Sequence, residues 1–76
     1  MELVLALGEG AAIYTVSIED ILGKGKPTRI ARARHWVMYH AALAGRMSYP
    51  DIARRLNRKD HHTVIHGVRA HALRHG

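Results

Sequence analysis

The chain of 76 residues contains no cysteine, one tryptophan and two prolines. Without cysteine, neither a disulfide nor a thiolate zinc site can stabilise so small a domain. No apolar run approaches the roughly 20 residues that a bilayer-spanning helix needs, and Glu2 breaks the basic start of a signal peptide. The sequence therefore predicts a single soluble, cytoplasmic domain with no membrane partner.

The usual arrangements for catalysis are also missing. No serine, cysteine or paired-carboxylate pattern indicates nucleophilic or acid–base chemistry. The loop GKGKP, residues 23–27, lacks the spacing of a phosphate-binding loop and the Ser or Thr that follows it. We predict no enzymatic activity and no cofactor.

The first 22 residues lack any lysine or arginine. They carry four acidic residues, Glu2, Glu9, Glu19 and Asp20. All 12 bases follow Leu22 and face only Asp51 and Asp60, so this part carries 12 minus 2, or +10. Such asymmetry favours a polyanionic partner, with nucleic acid preferred over a merely solvated basic surface.

The hydrophobic pattern predicts an all-α fold, because apolar residues recur at helical spacing and nothing is typical of a strand. The predicted helices span about residues 2–14, 18–22, 29–44, 49–56 and 60–74. The apolar residues predicted to face the core are Leu3, Val4, Leu7, Ala11, Ala12, Ile30, Ala33, Val37, Ala41, Ala44, Ile52, Ala53, Leu56, Val64, Ile65, Val68, Ala72 and Leu73. Trp36, His40 and Leu43 are expected to widen the buried side of the third helix.

Polar residues mark where these helices begin. Ser17 with Asp20 and Ser48 with Asp51 each have the spacing of a capping box. Thr28 is the predicted cap of the third helix and Asp60 that of the last.

The last two helices are separated by a short turn, Asn57 to Lys59, on a basic all-helical chain. This arrangement is typical of a helix-turn-helix, in which the second helix presents its N-terminal residues to base edges in the major groove. His61, His62 and Thr63 occupy that position, and the Thr63 methyl group could contact thymine. His66 lies one turn further along, with Gly67, opposite the apolar stripe, where a glycine would let another surface approach closely.

Two basic clusters favour contacts with the phosphate backbone. The first comprises Lys24, Lys26, Arg29, Arg32 and Arg34, and the second Arg54, Arg55, Arg58 and Lys59. Phosphate contacts supply much of the affinity and little sequence information. The flexible segment Lys24 to Lys26 could also lie in a minor groove.

Metal binding is the main alternative for the histidines. His62 and His66 are spaced i, i+4, as are His71 and His75, but HTVIH contains no glutamate that could act as a catalytic base. We therefore predict no metal site, and expect His71 and His75 to lie at the surface. A metal-dependent nuclease would show chelator-sensitive cleavage.

A family resemblance supports the interpretation as a DNA-binding domain. The run Lys59 to Val64, KDHHTV, followed by His66, resembles the signature RDHTTVxHA of the C-terminal DNA-binding domain of the bacterial replication initiator DnaA. Upstream, VSIEDIL, a basic loop and IARARHWVMYHAALAGRMSYPDIARRL are similar to the family's helices in order and spacing. The resemblance covers residues 16–73 and, more weakly, the first helix.

The resemblance implies a compact helical bundle with a helix-turn-helix, of the DnaA C-terminal or Trp-repressor-like type, that binds DnaA boxes in double-stranded DNA. It implies major-groove positions for Asp60, His61, His62 and Thr63, to which we add His66. It places Lys26 where the family has a minor-groove arginine. Contacts with the DNA backbone or nearby bases are implied for Arg34, His35 and Lys59, and we add Lys24, Arg29, Arg32 and Arg58 to this group.

Three departures from the family pattern bear on the target sequence. His62 replaces the first threonine of the signature, Arg58 replaces a glycine, and lysines stand in the loop where arginines are usual. Each departure puts the DNA sequence in question more than DNA binding itself.

The chain lacks the ATPase domain of DnaA, so it is either an excised domain or a free-standing DnaA-like protein, phage-borne or auxiliary. The start at Met1 favours the second. We predict a regulator of replication or transcription that acts by site occupancy in the bacterial nucleoid or a phage-infected cell. The rival hypothesis is an adaptor that contacts a replication or transcription protein through residues 1–22.

Overall fold

The computed structural model describes residues 2–75, which form five helices and, within that range, no strand. The helices are α1 (Leu3–Tyr14), α2 (Ile18–Leu22), α3 (Thr28–Leu43), α4 (Tyr49–Arg55) and α5 (His62–His75). The predicted all-α class is confirmed. None of these helices is both long and apolar enough to span a bilayer.

The central helix is α3, which contacts each of the other four. Its buried residues Ala33, Val37, Met38 and Ala41 form the middle of the core. Ile21, Ile52, Leu56 and Val64 close the core from α2, from α4 and the residue that follows it, and from α5. In this way α3 links the helix-turn-helix to the N-terminal half of the chain.

The core-facing residues of α4 were predicted correctly, because Ile52, Ala53 and Leu56 are all buried. On α1 the prediction is confirmed for Leu3, Leu7 and Ala11, which are buried or pack against the core, but it is wrong for Val4 and Ala12, which are exposed. Val4 is 70% exposed, whereas the buried residues of this helix are Leu3, Ala6 and Gly10. A Cβ at Gly10 would lie 2.7 Å from Val37 Cγ2. The smallest side chains therefore face α3, because they allow the two helices to approach closely.

The C-terminal ends of α3 and α5 depart from the predicted pattern. Leu43 and Leu73, both predicted to be buried, are 68% and 88% exposed. His71, predicted to lie at the surface, is only 6% exposed and packs between the rings of Tyr39 and His75. His71 thus continues the buried face of Val64 and Gly67, while Leu73 lies on the opposite, exposed face of α5.

The helix starts show which capping signals operate. The box at Ser17 is complete, with bonds in both directions between Ser17 and Asp20. At α4 the Ser48 hydroxyl accepts from Asp51 N–H, but the Asp51 carboxylate pairs with Arg54 instead, at 3.3 Å. Thr28 is the first residue of α3 rather than its cap, a position that Pro27 takes.

Candidate nucleic-acid interface

The turn between α4 and α5 is fixed by backbone hydrogen bonds. Arg58 N–H donates to Ala53 C=O at 2.7 Å and Asn57 N–H to Arg54 C=O at 3.2 Å. Asn57 has a φ of 59°, in the left-handed region that asparagine tolerates better than most residues. These bonds satisfy the last carbonyls of α4 and set the direction in which the chain enters α5.

The start of α5 forms an exposed tip, which we define as residues 60–63. Helix α5 begins at His62, and the Asp60 carboxylate accepts the His62 N–H at 2.9 Å, so Asp60 caps it. The Asp60 carbonyl accepts both the Thr63 N–H, at 3.2 Å, and the Thr63 hydroxyl proton. With its hydroxyl proton engaged, Thr63 has chiefly its methyl group and an oxygen lone pair to offer a partner.

The two histidines of the tip lie beside the same carboxylate. The Nδ1 atoms of His62 and His61 are 2.8 and 3.7 Å from Asp60 Oδ1, and the side chains of the two histidines are 72% and 43% exposed. The two rings are tilted by 31°, with centroids 4.4 Å apart. Hydrogen bonds from His62 lower the Asp60 pKa, so this carboxylate is ionised and can only accept. The Asp60 carboxylate therefore orients the His62 ring by a hydrogen bond and lies close to the His61 ring.

The tip is also the one group of three acidic or histidine side chains, within residues 2–75, whose ligand atoms converge closely enough for a metal ion. One ligand atom each from Asp60, His61 and His62 lies within 4.8 Å of the others. The sequence singled out the spacings of His62 with His66 and of His71 with His75 instead. Neither pair is part of this group.

The basic loop, residues 23–27, is anchored by two arginines that were predicted to contact DNA. Arg34 donates to the carbonyls of Ile21 at 2.8 Å and Gly23 at 3.0 Å, with further bonds to Asp20 and Gly25. Arg58 donates to Ile21 C=O at 3.2 Å and also to Gly23 C=O. Burial lowers the pKa of both guanidinium groups, and the charge of Arg58 lowers that of Arg34 further.

These bonds give Arg34 and Arg58 a structural task. The carbonyls that they reach close the C-terminal end of α2, where a cation is favoured. Because Arg58 belongs to the helix-turn-helix turn, the basic loop is held next to that turn. The four predicted backbone-contacting bases Lys24, Lys26, Arg29 and Arg32 are exposed, as is Lys59.

His35, which was predicted to contact DNA, is engaged within the fold. It is half-buried at the α3–α5 contact, where its Nδ1 lies 3.2 Å from Arg74 Nη2 and its ring meets that of His66 edge-on. Burial lowers its pKa to about 4, and the charges of Arg74, His66, Arg34 and His71 act in the same direction. Because His35 is neutral at pH 7 and accepts from Arg74, it has no positive charge to offer a phosphate.

The α3–α5 contact also depends on Gly67, which the sequence placed opposite the apolar stripe. Gly67 is buried, and a Cβ there would lie 2.4 Å from Met38 Sδ and 3.2 Å from His35 Cδ2. The surface that approaches this glycine is thus α3 of the same chain. The exposed His66 remains on the outer side of α5, one turn after the tip.

Comparison with known proteins identifies the family. Residues 11–70 match the family described as the bacterial DnaA protein helix-turn-helix. Chromosomal replication initiator proteins DnaA from Aquifex aeolicus and Cereibacter sphaeroides ATCC 17029 are 42% identical over 60 residues and 39% identical over 56 residues. The same protein from Paraburkholderia phymatum is 37% identical over 59 residues.

The matches cover 79%, 74% and 78% of this chain but only 15%, 12% and 11% of those relatives, in the same order. The chain thus corresponds to a small part of each initiator. No solved structure matches the chain significantly. The matched family is a DNA-binding helix-turn-helix and not a family of enzymes. The chain belongs to the helix-turn-helix family of the bacterial DnaA protein.

Proposed function

We propose that the chain binds double-stranded DNA at specific sites, DnaA-box-like in kind, and regulates replication or transcription by occupying them in the bacterial cytoplasm. One observation carries the proposal. The tip projects exposed side chains from a capped helix N-terminus, and Arg58 ties the basic loop beside the turn that precedes that tip.

The tip is suited to the major groove. A recognition helix enters that groove with its first residues, and here these are followed by the exposed His66 one turn later. The imidazoles of His61 and His62 can donate to or accept from base edges, and the Thr63 methyl group can contact a thymine methyl. The Asp60 carboxylate, when not shielded by His62, can accept from a cytosine amino group.

The loop and the start of α3 are suited to phosphates. Lys24, Lys26, Arg29, Arg32 and Lys59 are exposed, and none of them takes part in the ion pairs found within residues 2–75. We assign them to the DNA backbone, with Lys26 at the minor groove. Arg34 and Arg58 act as positioning residues for this loop, and His35 positions α5 against α3.

The assignment is tested by binding assays on two duplexes, one selected from a random pool and one of unrelated sequence. Thr63→Ala and His61→Ala should weaken binding to the selected duplex by about 1 to 3 kcal/mol per lost base contact. Both variants should leave binding to the unrelated duplex unchanged. Lys26→Ala should weaken both duplexes and reduce the dependence of affinity on salt.

The control is Leu73→Ala, which changes a side chain that is 88% exposed near the far end of α5 from the tip. It should bind both duplexes as the unaltered protein does. If Thr63→Ala weakens both duplexes equally, or if all variants bind alike, the tip does not read bases and the proposal is wrong.

An adaptor function is the second candidate, and it is favoured by the surface of α1 and α2. Val4, Leu5, Ile13 and Ile18 are 70, 59, 57 and 42% exposed, on the acidic segment that has no base. Such a surface is suited to a basic protein partner with apolar contacts. Leu5→Ser with Ile13→Ser should leave DNA binding intact while abolishing repression or activation of a reporter that carries the selected site. If the two substitutions leave expression of the reporter unchanged, the adaptor hypothesis is wrong.

A further inference from the structure

The tip contains a set of ligand atoms that base recognition alone does not require. Asp60, His61 and His62 present one carboxylate and two imidazoles whose ligand atoms lie within 4.8 Å of one another. Since all three side chains are substantially exposed, at 65, 43 and 72%, an ion could reach them without opening the fold.

The distances suit a first coordination shell. Ligand atoms bound at about 2.0 to 2.2 Å lie about 2.9 Å apart at right angles and about 3.4 Å apart in a tetrahedron. The Nδ1 atoms of His62 and His61 are 2.8 and 3.7 Å from Asp60 Oδ1, on either side of those values. Two of the three separations between ligand atoms are therefore close to those that a shared ion requires, and the third is at most 4.8 Å.

We propose that Asp60, His61 and His62 form a binding site for a divalent transition metal ion such as Zn²⁺ or Ni²⁺. Such ions bind well to imidazole nitrogens together with a carboxylate, whereas Mg²⁺ and Ca²⁺ prefer oxygen ligands alone. Three protein ligands leave at least one coordination position for water.

The hydrogen bond within the site must rearrange when the ion binds. His62 Nδ1 donates to the ionised Asp60 at 2.8 Å, so this nitrogen carries a proton. Coordination through Nδ1 displaces that proton, to Nε2 where that nitrogen carries none and otherwise to solvent. Asp60 Oδ1 has two lone pairs, so it can coordinate the ion through the one that now faces the His62 ring and still accept the His62 N–H that caps α5.

Positive charge around the site limits its affinity for the metal ion. A cation at the N-terminus of α5 meets the positive end of the helix dipole, and Lys59 adjoins the site. The Asp60 charge offsets these effects, because Asp60 Oδ1 lies 2.8 and 3.7 Å from the two Nδ1 atoms and accepts the His62 N–H at the helix end. We therefore expect reversible binding rather than a permanent structural ion.

The metal ion should also affect DNA binding, a consequence that rests on the proposed function. Coordination would occupy three of the side chains assigned to the major groove, so Zn²⁺ should lower affinity for the selected duplex. The unrelated duplex, which is held through its phosphates, should bind as before. The metal site itself does not depend on this consequence.

Calorimetric titration of the full chain with Zn²⁺ and no DNA tests the site, with Mg²⁺ as the comparison ion. The chain has no cysteine, so only histidines and carboxylates can compete. We expect one Zn²⁺ per chain and no measurable Mg²⁺ binding. His62→Thr and His61→Thr should each weaken Zn²⁺ binding at least about tenfold. Asp60→Asn, which retains a capping side chain, should also weaken it.

The matched control is His75→Thr, which removes an exposed histidine outside the site and should leave Zn²⁺ binding unchanged. Thermal melting of each variant verifies folding. The proposal is overturned if His62→Thr binds Zn²⁺ as the unaltered chain does, or if His75→Thr removes binding. A metal site with no effect on selected DNA would contradict only the placement of the tip in the groove. If the unaltered chain neither enriches a DNA motif in the selection nor binds Zn²⁺ in the calorimeter, both proposals are wrong.

Discussion

The tip and the two arginines that anchor the basic loop, Arg34 and Arg58, were all predicted from sequence to contact DNA. Their side chains differ in how far along the chain their hydrogen-bond partners lie. At the tip, Asp60 to Thr63 bond almost entirely to one another, over two or three residues. At the anchor, Arg34 and Arg58 turn inward to carbonyls 9 to 14 and 35 to 37 residues away. The exposed side chains of the tip can therefore meet a partner, whereas Arg34 and Arg58 hold the basic loop in place.

The largest effect should follow from removing an anchor. Arg34→Ala leaves the carbonyls of Ile21 and Gly23 without their charged donor, and we expect a loss of about 2 to 3 kcal/mol in the free energy of unfolding. Chemical denaturation measures it. Arg32→Ala, exposed on the same helix, should change stability by less than about 0.5 kcal/mol. Equal effects of the two variants would remove the distinction between anchor and interface.

The close approach of α3 and α5 should give the next largest effect. Gly67→Ala places a methyl group 2.4 Å from the Sδ of Met38, which is only 1% exposed. We expect a loss of about 1 to 2 kcal/mol, despite the better helix propensity of alanine. Gly8→Ala is the matched control, because nothing lies within 4 Å of its Cβ position. That variant should gain about 0.5 to 1 kcal/mol, and a gain in both would contradict the close contact.

Acid should loosen the α3–α5 contact through His35. Its pKa is about 4 in the folded chain against the usual 6.5, so the unfolded chain binds more protons between these values. Stability should be complete above pH 6.5 and fall by about 1 to 2 kcal/mol towards pH 4, after allowance for screening at a half-buried ring. Burial lowers the pKa of His71 as well, with His75, His40 and Arg74 contributing, so this residue adds to the decline.

Thermal melting across this pH range measures the decline. His35→Gln keeps a neutral acceptor for Arg74 at every pH, so the decline should become shallower. Leu73→Ala, which removes an exposed side chain of the same helix, should leave it unchanged. Stability that rises as the pH falls from 6.5 to 4 would show that His35 is not held in its neutral form.

The smallest effect is expected from a single exposed base. Lys26→Ala should remove about one phosphate contact, which reduces the salt slope of DNA binding by about 1 and affinity by a few-fold. Lys26→Arg should restore both values. If Lys26→Ala lowers stability instead, the loop base has a structural task like that of Arg34.

The elements that the sequence predicted well depend on neighbours along the chain. The box at Ser17, the Asp60 cap and the buried Ile52, Ala53 and Leu56 follow from hydrogen bonds or spacing within about one helical turn. Such patterns are visible in any short window of sequence.

The tertiary contacts could not be found in this way. Arg34 and Arg58 are indistinguishable from surface bases until α2 is folded against α3, because their acceptors are backbone carbonyls that no sequence pattern marks. His71 is buried instead of Leu73 because it lies about two turns after the buried Val64 and on the same face of α5, whereas Leu73 lies on the opposite face. Gly67, within the helical pattern of α5, was the signal in the sequence of the close contact between α3 and α5.

The measurement that tests the central claim most directly is selection of bound duplexes from a random pool at physiological salt, with the unaltered chain and with Thr63→Ala. If the tip reads bases, the unaltered chain enriches one motif, and Thr63→Ala enriches a motif that differs at one or two positions. Enrichment of no motif, or of the same motif by both proteins, would contradict the assignment of the tip to the major groove.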